Sequence, residues 1–232
     1  MKMRAVSAVW KKQVKDTLKN KEVLIQFFLF PVMAIIMQNA IKVPGMPENF
    51  FVVLFATMYV GMAPLTAMAA ILAEEKEKNT LRVLLMSNVK AAEYLAGTGV
   101  YVLAVCMLGA LVFGVVGKYR GGELAMFLLI MCIGILSSLL IGAAIGVWSR
   151  SQMGATSMTV PVMLVFAFLP MIAMFNSGIA KVSRFTYSQQ ISNMMTDIGA
   201  EAMSMESIVI IAMNMAAAMA VFWVAYKRCG LE

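Results

Sequence analysis

Histidine is absent from the 232 residues. That removes the commonest general base and the commonest metal ligand, and with them any Ser–His or His–metal catalytic centre. Cysteine is scarce. Cys106 and Cys132 sit inside apolar runs and Cys229 near the C-terminus, an odd count with neither a disulfide framework nor zinc spacing. Charge is scarce too, at 13% of residues against about 25% in an average soluble domain. No G-x-x-x-x-G-K-[ST] occurs, because Gly117-Lys118 has the wrong preceding spacing and runs into Tyr119, so the chain has no P-loop for ATP. Apolar residues are abundant, at 62%. A soluble globule of this composition would expose large apolar patches, and the same excess excludes disorder.

The apolar residues fall into long runs. Crossing about 30 Å of hydrocarbon takes about 20 mostly apolar residues, and six segments qualify, near 23–41, 51–73, 95–117, 124–148, 155–175 and 207–226. The first is the most polar, with Gln26, Gln38 and Asn39 inside it. The expected fold class is therefore all-α, a polytopic membrane protein formed as a single transmembrane domain over 1–232. Fourteen of the nineteen Lys and Arg residues fall on one side of such a topology: the N-terminal segment, the 74–94 connection, Arg150, Lys227 and Arg228. The positive-inside rule makes that side, and both termini, cytoplasmic. The net charge of +7 then follows from topology and calls for no nucleic acid.

Residues 1–21 contain no cleavable signal, because no apolar core follows Lys2 and Arg4 closely. Val6, Trp10, Val14 and Leu18 recur every four residues, with the lysines mostly off that stripe, which predicts an amphipathic helix lying in the cytoplasmic interface. A basic solvated arm is the plainer alternative. Two connections are too long for simple turns, 74–94 on the cytoplasmic side and 176–206 on the outer side.

The spans carry no Asp, Glu, Lys or Arg away from their ends. A charge at mid-membrane costs at least ~2.5–3.5 kcal/mol and is kept there for use, so a proton relay or charged selectivity ring is not expected. Sodium sites built from carbonyls and hydroxyls stay open.

In 74–94 an ionic cluster, Glu74-Glu75-Lys76-Glu77-Lys78, precedes Asn79-Thr80-Leu81-Arg82-Val83-Leu84-Leu85. On a helix Leu81, Leu84 and Leu85 share one face, suited to docking in a groove of a soluble partner; a helix resting on the membrane surface is the alternative. With Glu93, Leu95 and Gly97 following, the segment resembles the membrane subunit of bacterial ABC type-2 exporters. It departs from that pattern at Asn79, where glycine is usual, and at Thr98, where lysine is usual; Asn also tolerates turn conformations.

The resemblance implies a permease in the bacterial plasma membrane, paired with a second permease copy as a homodimer or related heterodimer. Two ABC ATPase subunits would carry Mg-ATP, with no cofactor on this chain. It implies that Glu74, Glu75, Lys76, Thr80, Leu81, Arg82, Leu84 and Leu85 form the ATPase-coupling element. It also implies that the segment before the last span gates the exit; Phe185, Tyr187, Met194 and Met195 would be its gate residues. Spans two and five, at equivalent positions in the two three-span halves, are both interrupted by Gly or Pro, which points to a substrate pathway. Its residues would be Thr57, Tyr59, Gly61, Pro64 and Thr66 with Ser157, Thr159, Pro161, Phe166 and Phe168. Isolated prolines are also ordinary in membrane helices.

With no charge there, the expected passenger is amphipathic or apolar, a peptide or drug-like molecule, and lipid-linked sugars also fit. Ser138, Gly142 and Gly146, four residues apart, predict close helix packing. The 24 methionines suit core and lipid-facing filler, with a Cu(I) site as a minor reading. Two competing functions remain, a sodium-coupled carrier needing no partner and a non-transporting scaffold or immunity subunit.

Overall fold

The apolar runs do form helices, and most extend somewhat past the run that predicts them. A computed structural model describes residues 10, 12–14, 21–41, 45, 47–78, 91–198 and 203–228. Its helices are α1 (Lys21–Ala40), α2 (Phe50–Glu77), α3 (Ala91–Val116), α4 (Gly122–Trp148), α5 (Gln152–Ala173), α6 (Ser177–Ser183), α7 (Tyr187–Thr196) and α8 (Met205–Arg228). No strand occurs among the described residues.

Helices α2, α3, α4, α5 and α8 are long and apolar enough to cross a membrane. The remaining expected span, near 23–41, lies on the 20-residue helix α1, which is apolar over Ile25–Ala40 among the described residues. Helix α2 runs one turn beyond its apolar run, into the ionic cluster, and α3 begins at Ala91, so the 74–94 connection is helical at both ends. Residues 79–90 lie outside the described residues. The 176–206 connection contains two short helices, α6 and α7.

Local chemistry accounts for the breaks. Ser151 begins α5 by accepting from the Gly154 N–H at 3.2 Å, and Asn176 begins α6 by accepting from Gly178 and Ile179 at 2.9 and 3.2 Å. Between α3 and α4 the chain turns through Lys118 and Gly121, both at positive φ. Gly121 takes that conformation without a Cβ clash.

Helix α2 is the hub. It packs against α1, α3, α4, α5 and α7, while α8 packs on α4 and α7. The approach to α4 is close because α4 presents small residues along the line of contact. A Cβ at Gly134 would meet Val60 Cγ1 at 2.7 Å, and one at Gly146 would meet the Ala69 carbonyl oxygen at 2.9 Å. At Gly142 it would run into the Leu65 backbone. The small-residue stripe thus extends one step further than expected, to Gly134, and its partner is α2. Within lipid there is little hydrophobic force between helices, so this contact-distance packing supplies much of their association.

Gly142→Leu is expected to destabilise the detergent-solubilised chain by ~1–3 kcal/mol or more, because backbone rather than a flexible side chain fills the space. Gly99→Ala, where nothing lies within 4 Å of the added methyl, is expected to be neutral or slightly stabilising. Thermal unfolding of the two variants checks both.

Candidate functional site

Four prolines sit inside the long helices: Pro31 in α1, Pro64 in α2, and Pro161 and Pro170 in α5. Each removes a backbone N–H and leaves the carbonyl four residues earlier without its helical donor. In a dry interior such a carbonyl needs another partner. Pro64 frees the Val60 carbonyl, and the Ser138 hydroxyl on α4 donates to it. Ser138 in turn is hydrogen-bonded to the Tyr187 hydroxyl at 2.6 Å. Tyr187 opens α7, is fully buried, and packs its ring on Phe166 with centroids 4.7 Å apart. The short helix α7 is therefore fastened to the middle of the bundle by its first residue.

Further polar contacts tie α7 to its neighbours. Gln190 donates to the Arg184 carbonyl at 2.6 Å and accepts from Ser207 of α8 at 2.7 Å. Asn214 of α8 donates to the Phe185 carbonyl at 2.9 Å, and Arg184 pairs with Glu206 at 2.6 Å. Of the expected gate residues, Tyr187, Met194 and Met195 are buried, whereas the Phe185 side chain is largely exposed.

The residues expected to line a pathway divide into two sets. Thr57, Tyr59, Gly61 and Pro64 are buried. Tyr59 donates to the Cys106 carbonyl at 3.4 Å and meets Phe113 edge-on, at a centroid distance of 5.4 Å. A Cβ on Gly61 would sit 2.7 Å from the Phe166 carbonyl oxygen, which Pro170 has deprived of its donor. A Cα–H of glycine faces that oxygen instead. Spans two and five thus approach to backbone distance at Gly61. Thr66 bonds to Gln26 of α1, and with Thr159 it lines a cleft of about 170 Å³. Phe166 and Phe168 are half-buried, while Ser157 and Pro161 stand on the open side of α5.

At the opposite end of the bundle the ionic cluster turns inward. Glu75 is buried and ion-paired with Lys12. Beside Lys12, Gln13 donates to the buried Tyr94 hydroxyl of α3 at 3.1 Å, and Trp10 packs edge-on against Tyr101 at 5.5 Å. Lys76 donates to the Val147 carbonyl at the end of α4, and Glu77 accepts from the Gln152 N–H at the start of α5, at 2.7 Å. Arg228 at the end of α8 lies over the Trp148 ring at 5.6 Å. Lys12, Lys76 and Arg228 therefore gather at one end of the bundle. Glu74 and Lys78 form the ion pair on the surface here. Thr80, Leu81, Arg82, Leu84 and Leu85 lie outside the described residues.

Sequence reading missed the long-range polar links, Tyr187–Ser138–Val60 and Lys12–Glu75 among them, although the proline four residues after Val60 was a signal for the first. No cluster of three or more metal-binding side chains occurs among the described residues. Residues 5–227 match a protein-family model described as ABC-2 family transporter protein. No match was found among curated proteins.

Ser138→Ala leaves the Val60 carbonyl and the Tyr187 hydroxyl unpaired, an expected loss of ~1–3 kcal/mol for each buried group. Tyr187→Phe keeps the Ser138 donor on Val60 and is expected to cost only ~0.5–1.5 kcal/mol. Unfolding midpoints in that order check the linkage, and equal midpoints would contradict it. For the other end, Glu75→Gln is expected to speed tryptic cleavage within residues 11–19 while leaving cleavage elsewhere unchanged.

Proposed function

The chain belongs to the ABC-2 family of transporter proteins, and from that premise we propose that it is the permease subunit of an ATP-driven exporter. The observation that carries the reading is the family match across nearly the whole chain, joined to the lack of any P-loop in it. The chain is a multi-pass membrane component and not itself catalytic, so uphill transport draws its energy from another polypeptide.

Two copies of an ABC ATPase, each holding Mg-ATP, dock on the cytoplasmic side at the segment following α2. Leu81, Leu84 and Leu85 supply the apolar docking face, and Thr80, Arg82 and the surface pair Glu74–Lys78 flank it. Glu75 and Lys76 act one step behind, by holding the end of α2 to the N-terminal helix and to α4. A pull on the docked segment is therefore delivered to α2, the hub of the bundle. A second permease copy packs against this one, with the open face of α5, carrying Ser157 and Pro161, toward the cleft between them. Helix α1 is the first of six spans, residues 1–21 form an amphipathic helix in the cytoplasmic interface, and both termini are cytoplasmic. The helices α6 and α7 form the outer gate, and Tyr187 must leave Ser138, or carry it along, for that gate to open. The passenger is amphipathic or apolar, peptide or drug-like, because the spans offer it no charge.

Purification of the tagged chain from its native membrane in mild detergent tests this. The expected result is an ABC-class ATPase in equal amount. Replacing Leu81, Leu84 and Leu85 together by Ala should reduce the recovered ATPase about tenfold, equivalent to ~1.4 kcal/mol, with the unfolding midpoint of the chain unchanged. Flux in proteoliposomes containing this chain alone, driven by a sodium gradient, would establish the carrier instead. ATPase binding with no effect on flux would establish a scaffold.

A further inference from the structure

A cavity of about 280 Å³ opens at the α7 end of the bundle, between the first turns of α2, the last turns of α5, and α7. Its body is lined by thioethers, Met58, Met171 and Met195 among them. Flexible, polarisable side chains of this kind accept varied apolar shapes. Glu48, Phe50 and Tyr119 also line it. Glu48 and Phe50 flank Asn49, which lines the cavity as well. Among the described residues Glu48 is the one charged side chain on the lining, and its carboxylate forms no ion pair with another described residue. Lys118 and Gln38 line a neighbouring, more polar pocket that shares Pro47, Glu48 and Asn49 with this one.

We infer that this cavity is a binding site for a small lipophilic ammonium cation. An exposed carboxylate at the edge of an apolar cavity attracts an ammonium group by charge while the cavity takes up the apolar body attached to it. The methionines take the apolar body. The volume lies just under the ~300 Å³ at which drug-sized pockets begin, so a short alkyl- or arylamine fits and a peptide does not. Neutral apolar molecules would gain nothing from Glu48, and anions would be repelled by it. The site is complete within one chain and stands apart from the segment proposed to dock the ATPase, so it needs neither nucleotide nor partner to bind.

Photolabelling of the full chain in nanodiscs of neutral lipid tests the assignment, with a diazirine-bearing alkylamine of about eight carbons as probe. The expected result is labelling of α2, α5 and α7 residues at the cavity. Octylamine should suppress it about tenfold, and octanol at equal concentration should not. Glu48→Gln, a surface substitution that leaves the packing intact, should reduce the cavity labelling about tenfold. Ser192→Trp, which fills the cavity from α7, should abolish it while labelling of lipid-facing residues persists. Labelling confined to exposed positions away from the cavity, such as Phe28 and Leu108, would overturn the site. Equal competition by octanol, or labelling indifferent to Glu48→Gln, would overturn the ammonium class.

Discussion

A backbone carbonyl stripped of its helical donor by proline, and buried where no water reaches, must be met by another group of the protein. Two such carbonyls set the architecture of this chain. The one at Val60, freed by Pro64, recruits Ser138 from α4 and through it Tyr187 from α7. The one at Phe166, freed by Pro170, faces Gly61 and draws α5 against α2 at backbone distance. Both involve α2, and both exist only because small residues on the facing helix allow the approach. Close packing and polar satisfaction therefore reinforce each other here.

The two ends of the bundle are built on different physics. The end that gathers Lys12, Glu75, Lys76, Glu77 and Arg228 is held by charge, partly buried and short in reach. The end carrying α6 and α7 is held mainly by neutral hydrogen bonds from Tyr, Ser, Gln and Asn. Neutral bonds in a low-dielectric setting each contribute only about a kcal/mol net, which suits an element proposed to open and close. Helix α2 spans from one end to the other, so a displacement of its charged end bears directly on Val60 and the seam with α5.

Much of this was legible in the residues. Helix positions follow from run length and hydropathy, and the Ser138, Gly142 and Gly146 stripe announced a close helix contact, though not which helix lay across it. The Gly and Pro interruptions of spans two and five were visible in the sequence; in the structure Gly61 meets the carbonyl freed by Pro170, the carbonyl freed by Pro64 is met from α4, and Pro161 stands on the open side of α5. Periodicity cannot separate these outcomes, because it describes one helix and the answer lies on its neighbour. The same limit applies to Glu75. In sequence it belongs to a solvated ionic cluster, and only the return of Lys12, sixty-three positions away, places it inside. The first span is the reverse case: its polar residues Gln26 and Gln38 weakened the signal, and Gln26 turns out to serve Thr66 of α2.

The central claim is that α7 moves relative to the bundle only when α2 is pulled from its charged end by a partner. Spin labels at Asn193 on α7 and Arg120 between α3 and α4, both exposed, allow that motion to be measured by double electron–electron resonance. In the complete complex with its ATPase, nucleotide trapping should shift the distance distribution. The chain alone should show one distribution, unaffected by nucleotide. An unchanged distance in the trapped complex, or the same shift in the isolated chain, would contradict the claim.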